Sequence, residues 1–211
     1  MSLTEDLLEK NKAGRARIPA EALTVMDAAT AALKTAHLAE KAVKVGANFP
    51  TATLPNANGN DVNISNYLEE GALVVSFYRG GWCPYCNIEL QALQAALPEI
   101  KAKGASLIAI TPETPDNSLT TSEKNELSFD VLTDHNNDYA RALGLVMAMP
   151  KDLQEVYNTF GIDVEKHNGN SNFELPMPAT FVVDNKGKIA YSFVNEDYTK
   201  RADPVAILVA L

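Results

Sequence analysis

Cysteine is almost absent: the 211 residues hold two. That excludes a fold stapled by several disulfides. Histidine is equally scarce, with His37, His135 and His167 far apart along the chain. A zinc site built on a cysteine pair needs two more ligands at short spacing, and none is available, so no metal and no cofactor is expected. Basic clusters are missing too. With 27 acidic residues against 18 basic ones, the net charge is -9, which argues against binding a phosphate backbone; such acidity mainly favours solubility. No run of about 18 apolar residues occurs, so no membrane-spanning helix is expected. The opening Met1-Ser2-Leu3-Thr4-Glu5-Asp6 is acidic and lacks the apolar stretch of a secretory signal, which points to the cytoplasm.

Apolar residues make up 46% of the chain, enough for a sizeable core. Residues 1–42 are rich in Ala, Leu, Lys and Glu. They read as a helical extension with helices over about 2–13 and 19–41, Pro19 opening the second. Leu23, Met26 and Leu33, with Leu7 and Leu8 before them, recur at helical spacing. Such faces need covering, by the main domain or by a second copy in a homodimer.

Residues 43–211 form the main domain. Asn56-Ala57-Asn58-Gly59-Asn60 is a turn between two short strands. A strand is expected at about 72–78, a helix at 84–102, a strand over Ser106–Ile110 and a helix at 115–126. Shorter pieces follow: a strand at 129–132 and helices at 136–143 and 151–160. Thr180–Val183 and Ile189–Val194 flank Asp184-Asn185-Lys186-Gly187, a hairpin signal. A helix from Pro204 closes the chain. Strands alternating with helices and ending in a hairpin imply an α/β fold, a central mixed sheet with helices on both faces.

The two cysteines stand together, in Trp82-Cys83-Pro84-Tyr85-Cys86. They follow an apolar strand and open a helix. Cys-x-x-Cys spacing lets two sulfurs close a small ring, and a helix start supplies free N–H groups and a positive dipole end that favour thiolate. Cys86, Leu90, Leu93, Leu97 and Ile100 fall on one helical stripe, which buries Cys86. Pro84 suits the first helical position, which places Cys83 at the cap. Cys83 is therefore expected to be exposed and to attack, with Cys86 resolving. Pro84 and Tyr85, lying between the thiols, influence the reduction potential. A second motif, Met177-Pro178-Ala179-Thr180-Phe181, brings a proline into a strand, which marks an edge, a bulge or a special backbone feature.

These residues carry a resemblance. Val45–Pro50, Phe77–Cys86, Glu89 and Pro178–Asp184 resemble the thioredoxin-fold superfamily. Within it, residues 43–211 look like the peroxiredoxin-like branch of the alkyl hydroperoxide reductase/thiol-specific antioxidant family. Peroxiredoxins carry Pro-x-x-x-Thr-x-x-Cys. Laid on this chain, their peroxidatic cysteine is Cys86, while their Pro and Thr positions hold Arg79 and Cys83. Their peroxide-polarising arginine, just before a small-Thr-Phe stretch, is replaced by Pro178. Thioredoxins carry Trp-Cys-x-x-Cys facing a cis proline. That resemblance implies Trp82 beside the thiols and a cis Met177–Pro178 bond opposite them.

Three functions follow. The first is a thiol-dependent peroxidase: a thiolate reduces a hydroperoxide, the second thiol condenses to a disulfide, and thioredoxin or a similar thiol recycles it, with Arg79 standing in for the missing arginine. The second is a thioredoxin-like protein disulfide oxidoreductase, with Cys83 attacking and Pro178 as platform. The third is a redox-sensing module without efficient turnover. Peroxiredoxin position nominates Cys86 as attacker and helix position nominates Cys83, so the peroxide-reacting sulfur stays open.

Overall fold

The computed structural model describes residues 2–211. Helices α1 (Leu3–Arg15) and α2 (Ala20–Thr35) open the chain. Ser2 and Glu5 close a capping box at the start of α1, each backbone N–H reaching the other's side chain. The helix expected over 19–41 stops at Thr35: His37 takes φ 49°, which breaks the spiral, and Leu38–Lys41 winds as a 3-10 turn.

The short strands β1 (Thr53–Pro55) and β2 (Asp61–Asn63) pair across the expected asparagine turn. The Asn56 side chain accepts the N–H groups of Asn58 and Asn60, at 3.0 Å each. Then come α3 (Ile64–Glu70), β3 (Ala72–Phe77), α4 (Pro84–Ala102), β4 (Ala105–Thr111), α5 (Pro115–Lys124) and β5 (Asp130–Thr133). After them run α6 (Asp138–Ala142), β6 (Val146–Ala148), α7 (Lys151–Thr159), α8 (Val164–Asn168) and β7 (Glu174–Pro176). The chain continues through β8 (Ala179–Val183), β9 (Ile189–Val194) and α9 (Pro204–Ala210).

The central sheet runs β5-β4-β3-β8-β9. β3, β4 and β5 are parallel; β8 is antiparallel to β3 and to β9. Strand alternation sorts the core. Leu73, Val75, Phe77, Ile108, Ile110 and Phe181 face one side, with Phe49, Ile64 and Tyr139. Val74, Leu107 and Val182 face the other, against Leu93, Leu97 and Ile100 of α4 and Ile207 of α9. Burial on both faces explains the unbroken apolar run of β3. This is the mixed sheet covered on two sides, the thioredoxin fold.

The arm folds back on its own chain. Leu3 and Leu7 of α1 are buried against α4, in one cluster with Tyr78, Cys83, Tyr85, Cys86 and Leu90. Met26, Ala29 and Leu33 of α2 pack on Leu153 and Tyr157 of α7. Leu8, by contrast, stays 49% exposed.

Candidate active site

The loop between β3 and α4 is held from several directions. Tyr78 N–H donates to Ile110 O (2.9 Å), continuing the β3–β4 ladder by one step. Gly80 has φ 153°, and a Cβ there would come 2.3 Å from Trp82 Nε1; a Cβ on Gly81 would meet Thr121 Oγ1 at 2.0 Å. Only glycine lets the loop pass both. Gly81 N–H donates to Glu113 Oε2 (2.8 Å), and Glu113 is itself buried, its other oxygen 2.9 Å from His167 Nδ1. Asn87 donates to Gly81 O (2.8 Å) and Cys83 O (3.2 Å), and accepts from Asn125 (2.9 Å). Cys83 thus arrives as the N-cap of α4 with Pro84 as its first residue, as the sequence implied.

The expected exposure of Cys83 is corrected. It is 1% exposed and Cys86 is wholly buried, both as free thiols. The cap is roofed by residues distant in sequence: Tyr157, Tyr198 and the arm. Cys83 still borders a cavity of ≈ 190 Å³, whose walls include Arg79, Trp82, Pro84 and Tyr85. Cys86 borders none of the cavities around the loop.

The two thiols are close enough for the charge on one to set the proton affinity of the other. Burial opposes charge on Cys83, yet the Cys86 thiol, Arg79 and Arg201 outweigh it and hold Cys83 below the ordinary thiol value of 9.0. Burial and the Cys83 charge together push Cys86 well above that value.

Each sulfur has its own buried arginine. Arg201, just before α9, has a partner on every nitrogen. Its Nη2 donates to Cys86 Sγ (3.2 Å), its Nε to Glu89 Oε2 (2.5 Å), and its Nη1 to Tyr198 O (2.5 Å) and Lys200 O (2.7 Å). Glu89 is buried beside it. Burial lifts its carboxyl to about 7, Arg201 pulling down and Cys86 pushing up. Arg79 is unsaturated. Its one hydrogen-bonded partner is the Tyr157 hydroxyl, and its Nε has no partner among the described residues. Three ring faces surround its guanidinium, those of Tyr198 (4.6 Å), Trp82 (4.9 Å) and Tyr157 (5.4 Å).

The Met177–Pro178 bond is trans, because the described residues contain no cis peptide, and the cis expectation is overturned. Pro176 pairs with Val146, and Met177 N–H donates to Leu145 O (2.8 Å). The chain therefore runs extended into β8, where the ordinary trans bond fits. The β3–β8 register, Phe77 opposite Ala179, brings Pro178 to the end of β3 beside the cysteine loop. Met177 and Pro178 line a small cavity of ≈ 20 Å³ with Arg79, Tyr157 and Tyr198, separate from the one bordered by Cys83.

Sequence reasoning found Cys83, Cys86, Trp82 and Arg79, and missed Arg201, Tyr157, Tyr198 and Glu113. Arg201 lies 115 residues beyond Cys86 with no spacing to betray it. Glu113 had a faint signal, a carboxylate at the end of the strand neighbouring β3.

The family model described as "AhpC/TSA family" matches residues 45–192. The chain belongs to the AhpC/TSA family. Escherichia coli peroxiredoxin Bcp is 24% identical over 151 residues, covering 72% of this chain and 85% of Bcp. The thiol-disulfide oxidoreductase ResA of Bacillus cereus is 21% identical over 173 residues, covering 78% and 82%. Among solved structures, peroxidoxin BcpB from Mycobacterium tuberculosis superposes with a TM-score of 0.63 at 18% identity, covering 80% of this chain and 96% of that one. The peroxiredoxin resemblance is thereby borne out: this AhpC/TSA chain is a peroxiredoxin-type thiol peroxidase, an oxidoreductase. The match ends at 192, so the arm, Tyr198 and Arg201 all lie outside it. No helix among the described residues is long and apolar enough to cross a membrane.

Proposed function

We propose that Cys83 is the sulfur that attacks the hydroperoxide and Cys86 the sulfur that resolves it. The observation that carries this is access: Cys83 borders the ≈ 190 Å³ cavity, and Cys86 does not. The charge distribution supports the same assignment, with Cys83 held as thiolate and Cys86 as thiol. The Cys83 thiolate attacks the terminal peroxide oxygen. The O–O bond breaks, the alkoxide leaves and takes a proton from water, and Cys83 becomes a sulfenic acid. Arg79 has a free donor for the peroxide oxygens and steadies the charge moving along them. The Cys86 thiol then attacks the sulfenic sulfur, water leaves, and a disulfide joins the pair.

A dithiol protein of the thioredoxin type reduces that disulfide and becomes a disulfide in turn. This cycle belongs in a reducing compartment, the cytoplasm. Trp82, Pro84 and Tyr85 wall the cavity, while Met177 and Pro178 support Arg79 from behind. The homodimer expected through the arm rests on what the arm leaves open, chiefly Leu8, and light scattering on the intact chain decides it.

One observation favours Cys86 instead: the 3.2 Å contact from Arg201, at the position of the family's peroxidatic cysteine. Trapping of sulfenic acid after one equivalent of peroxide separates the two. C86S retains the adduct and C83S loses it if Cys83 attacks; the reverse result transfers the role to Cys86. The protein disulfide reading fits less well, since the ≈ 190 Å³ cavity at Cys83 and the unpartnered donor of Arg79 are features that disulfide exchange does not use. Insulin reduction with a dithiol donor, run beside peroxide consumption with a thioredoxin system, tests it.

A further inference from the structure

We infer that the N-terminal arm completes a pocket for a single aromatic ring, which makes a one-ring aryl hydroperoxide the preferred substrate. The second half of this rests on the peroxidase reading above; the first half does not.

The cavity beside Cys83 has two kinds of wall. Trp82, Tyr157 and Tyr198 bring aromatic faces from the main domain, and Ile18 and Met26 close the opposite side from the arm. The lining also holds the Cys83 sulfur, Arg79, whose buried Nε has no partner among the described residues, and Lys10 from the arm. Phe160, at the cavity and 40% exposed, is a large apolar side chain left to water. A cavity of about 150 Å³ with apolar walls stays dry and takes up benzene. At ≈ 190 Å³ this one has room for a ring and a short branch carrying the peroxide group. The ring stacks among the aromatic faces, and the O–O bond reaches the thiolate and the free guanidinium donor. Hydrogen peroxide leaves most of the cavity unfilled and gains nothing from its walls. The arm that supplies this wall lies outside the family match at 45–192.

The test uses the full chain, cumene hydroperoxide, hydrogen peroxide and the non-reactive product alcohol 2-phenyl-2-propanol. Ile18→Phe and Met26→Phe fill the cavity from the arm side without touching the thiols or Arg79. Altering a hydrophobic pocket by a group or two shifts discrimination by about 10–200-fold. The expected result is kcat/KM for cumene hydroperoxide at least about 10-fold above that for hydrogen peroxide, falling about 10-fold or more in either variant while hydrogen peroxide changes less than about 2-fold. Trp82 is the chain's sole tryptophan and lines the cavity, so its fluorescence reports binding of the alcohol directly. Saturable change in wild type, lost in Ile18→Phe, supports the pocket even if neither peroxide is consumed; in that case it is the peroxidase reading that fails. Equal use of both peroxides, or equal losses on both in the variants, overturns the substrate preference. A Trp82 signal indifferent to the alcohol overturns the pocket. Circular dichroism of the variants, expected to match wild type, excludes loss of the arm's helices as the cause.

Discussion

The two sides of the Cys-x-x-Cys pair are built on opposite plans. On the inner side, Cys86 touches an arginine whose donors are engaged by Glu89, two backbone carbonyls and the sulfur itself. On the outer side, Cys83 faces an arginine held mostly by ring faces, with a donor unspent, at the edge of a cavity. A guanidinium partnered at every nitrogen is held fixed. An unsaturated one, enclosed by ring faces, keeps a donor without a partner and carries the desolvation cost of that group. The same residue type thus makes a rigid anchor on one side and an unfilled receptor on the other.

The harshest way to probe this division is to remove each sulfur. Cys83→Ser and Cys86→Ser each reduce steady-state turnover on the order of 10³-fold or more, but only the attacker's loss also removes the single-turnover reaction with peroxide. Stopped-flow measurement of the first turnover reads the difference directly.

Next come the arginines, where the two plans predict different symptoms. Arg201→Met leaves Glu89 buried without its cation and costs about 3–5 kcal/mol of stability by denaturant unfolding. Adding Glu89→Gln to it restores much of the loss. Arg79→Met breaks no carboxylate pair. It lowers kcat/KM about 10²-fold while moving stability far less. If the stability loss falls on Arg79 instead, the assignment of anchor and receptor is reversed.

Proton binding gives a subtler comparison. Between the depressed value of Cys83 and the ordinary 9.0, the unfolded chain binds a proton that the folded chain has released, so stability of the reduced protein rises with pH. Glu89 acts oppositely. Held up at about 7 against an ordinary 4.5, it keeps a proton that the unfolded chain has lost, so stability falls as pH rises from 4.5 to 7. Measured by denaturant unfolding, stability of the reduced wild type should be nearly flat between about pH 5 and 7, where the two slopes cancel, and rise from 7 to 9; C83S should show only the fall between 4.5 and 7, and E89Q only the rise from about 5 to 9. Each limb has a slope of at most about 1.4 kcal/mol per pH unit, the value for one proton. The mildest effect is expected in the arm: Asp27→Asn breaks the exposed pair with Arg15 and changes stability by less than about 1 kcal/mol, leaving both sides of the site alone.

How much of this could be read from the chain alone follows from distance along it. The strand, cap and helix around Cys83 were legible because their signals are local: an apolar run, Pro84 at the first helical position, and a stripe from Cys86 to Ile100. The sheet and its final hairpin were legible for the same reason. The burial of Cys83 was not, because its roof comes from α1, Tyr157 and Tyr198, and the cap argument considers only the helix itself. Arg201 was invisible since nothing in Thr199-Lys200-Arg201 points back to residue 86. Pro178 misled by analogy: the motif matched, but the β6–β7 pairing that keeps the chain extended arises from Val146, which carries no visible signal. Short elements such as α3 and α8 escaped because one or two turns leave too little periodicity to see.

The reach of Arg201 across 115 residues also sets a schedule. At a synthesis rate of about 5–20 residues per second, Cys86 exists for on the order of ten seconds before the arginine that grips it has been made. Through that interval Glu89 has no cation, and the pair of thiols lacks one of the two charges that favour ionisation. The nascent chain therefore carries Cys86 without the donor that later touches its sulfur, and that donor arrives with the segment that seats α9 against the sheet.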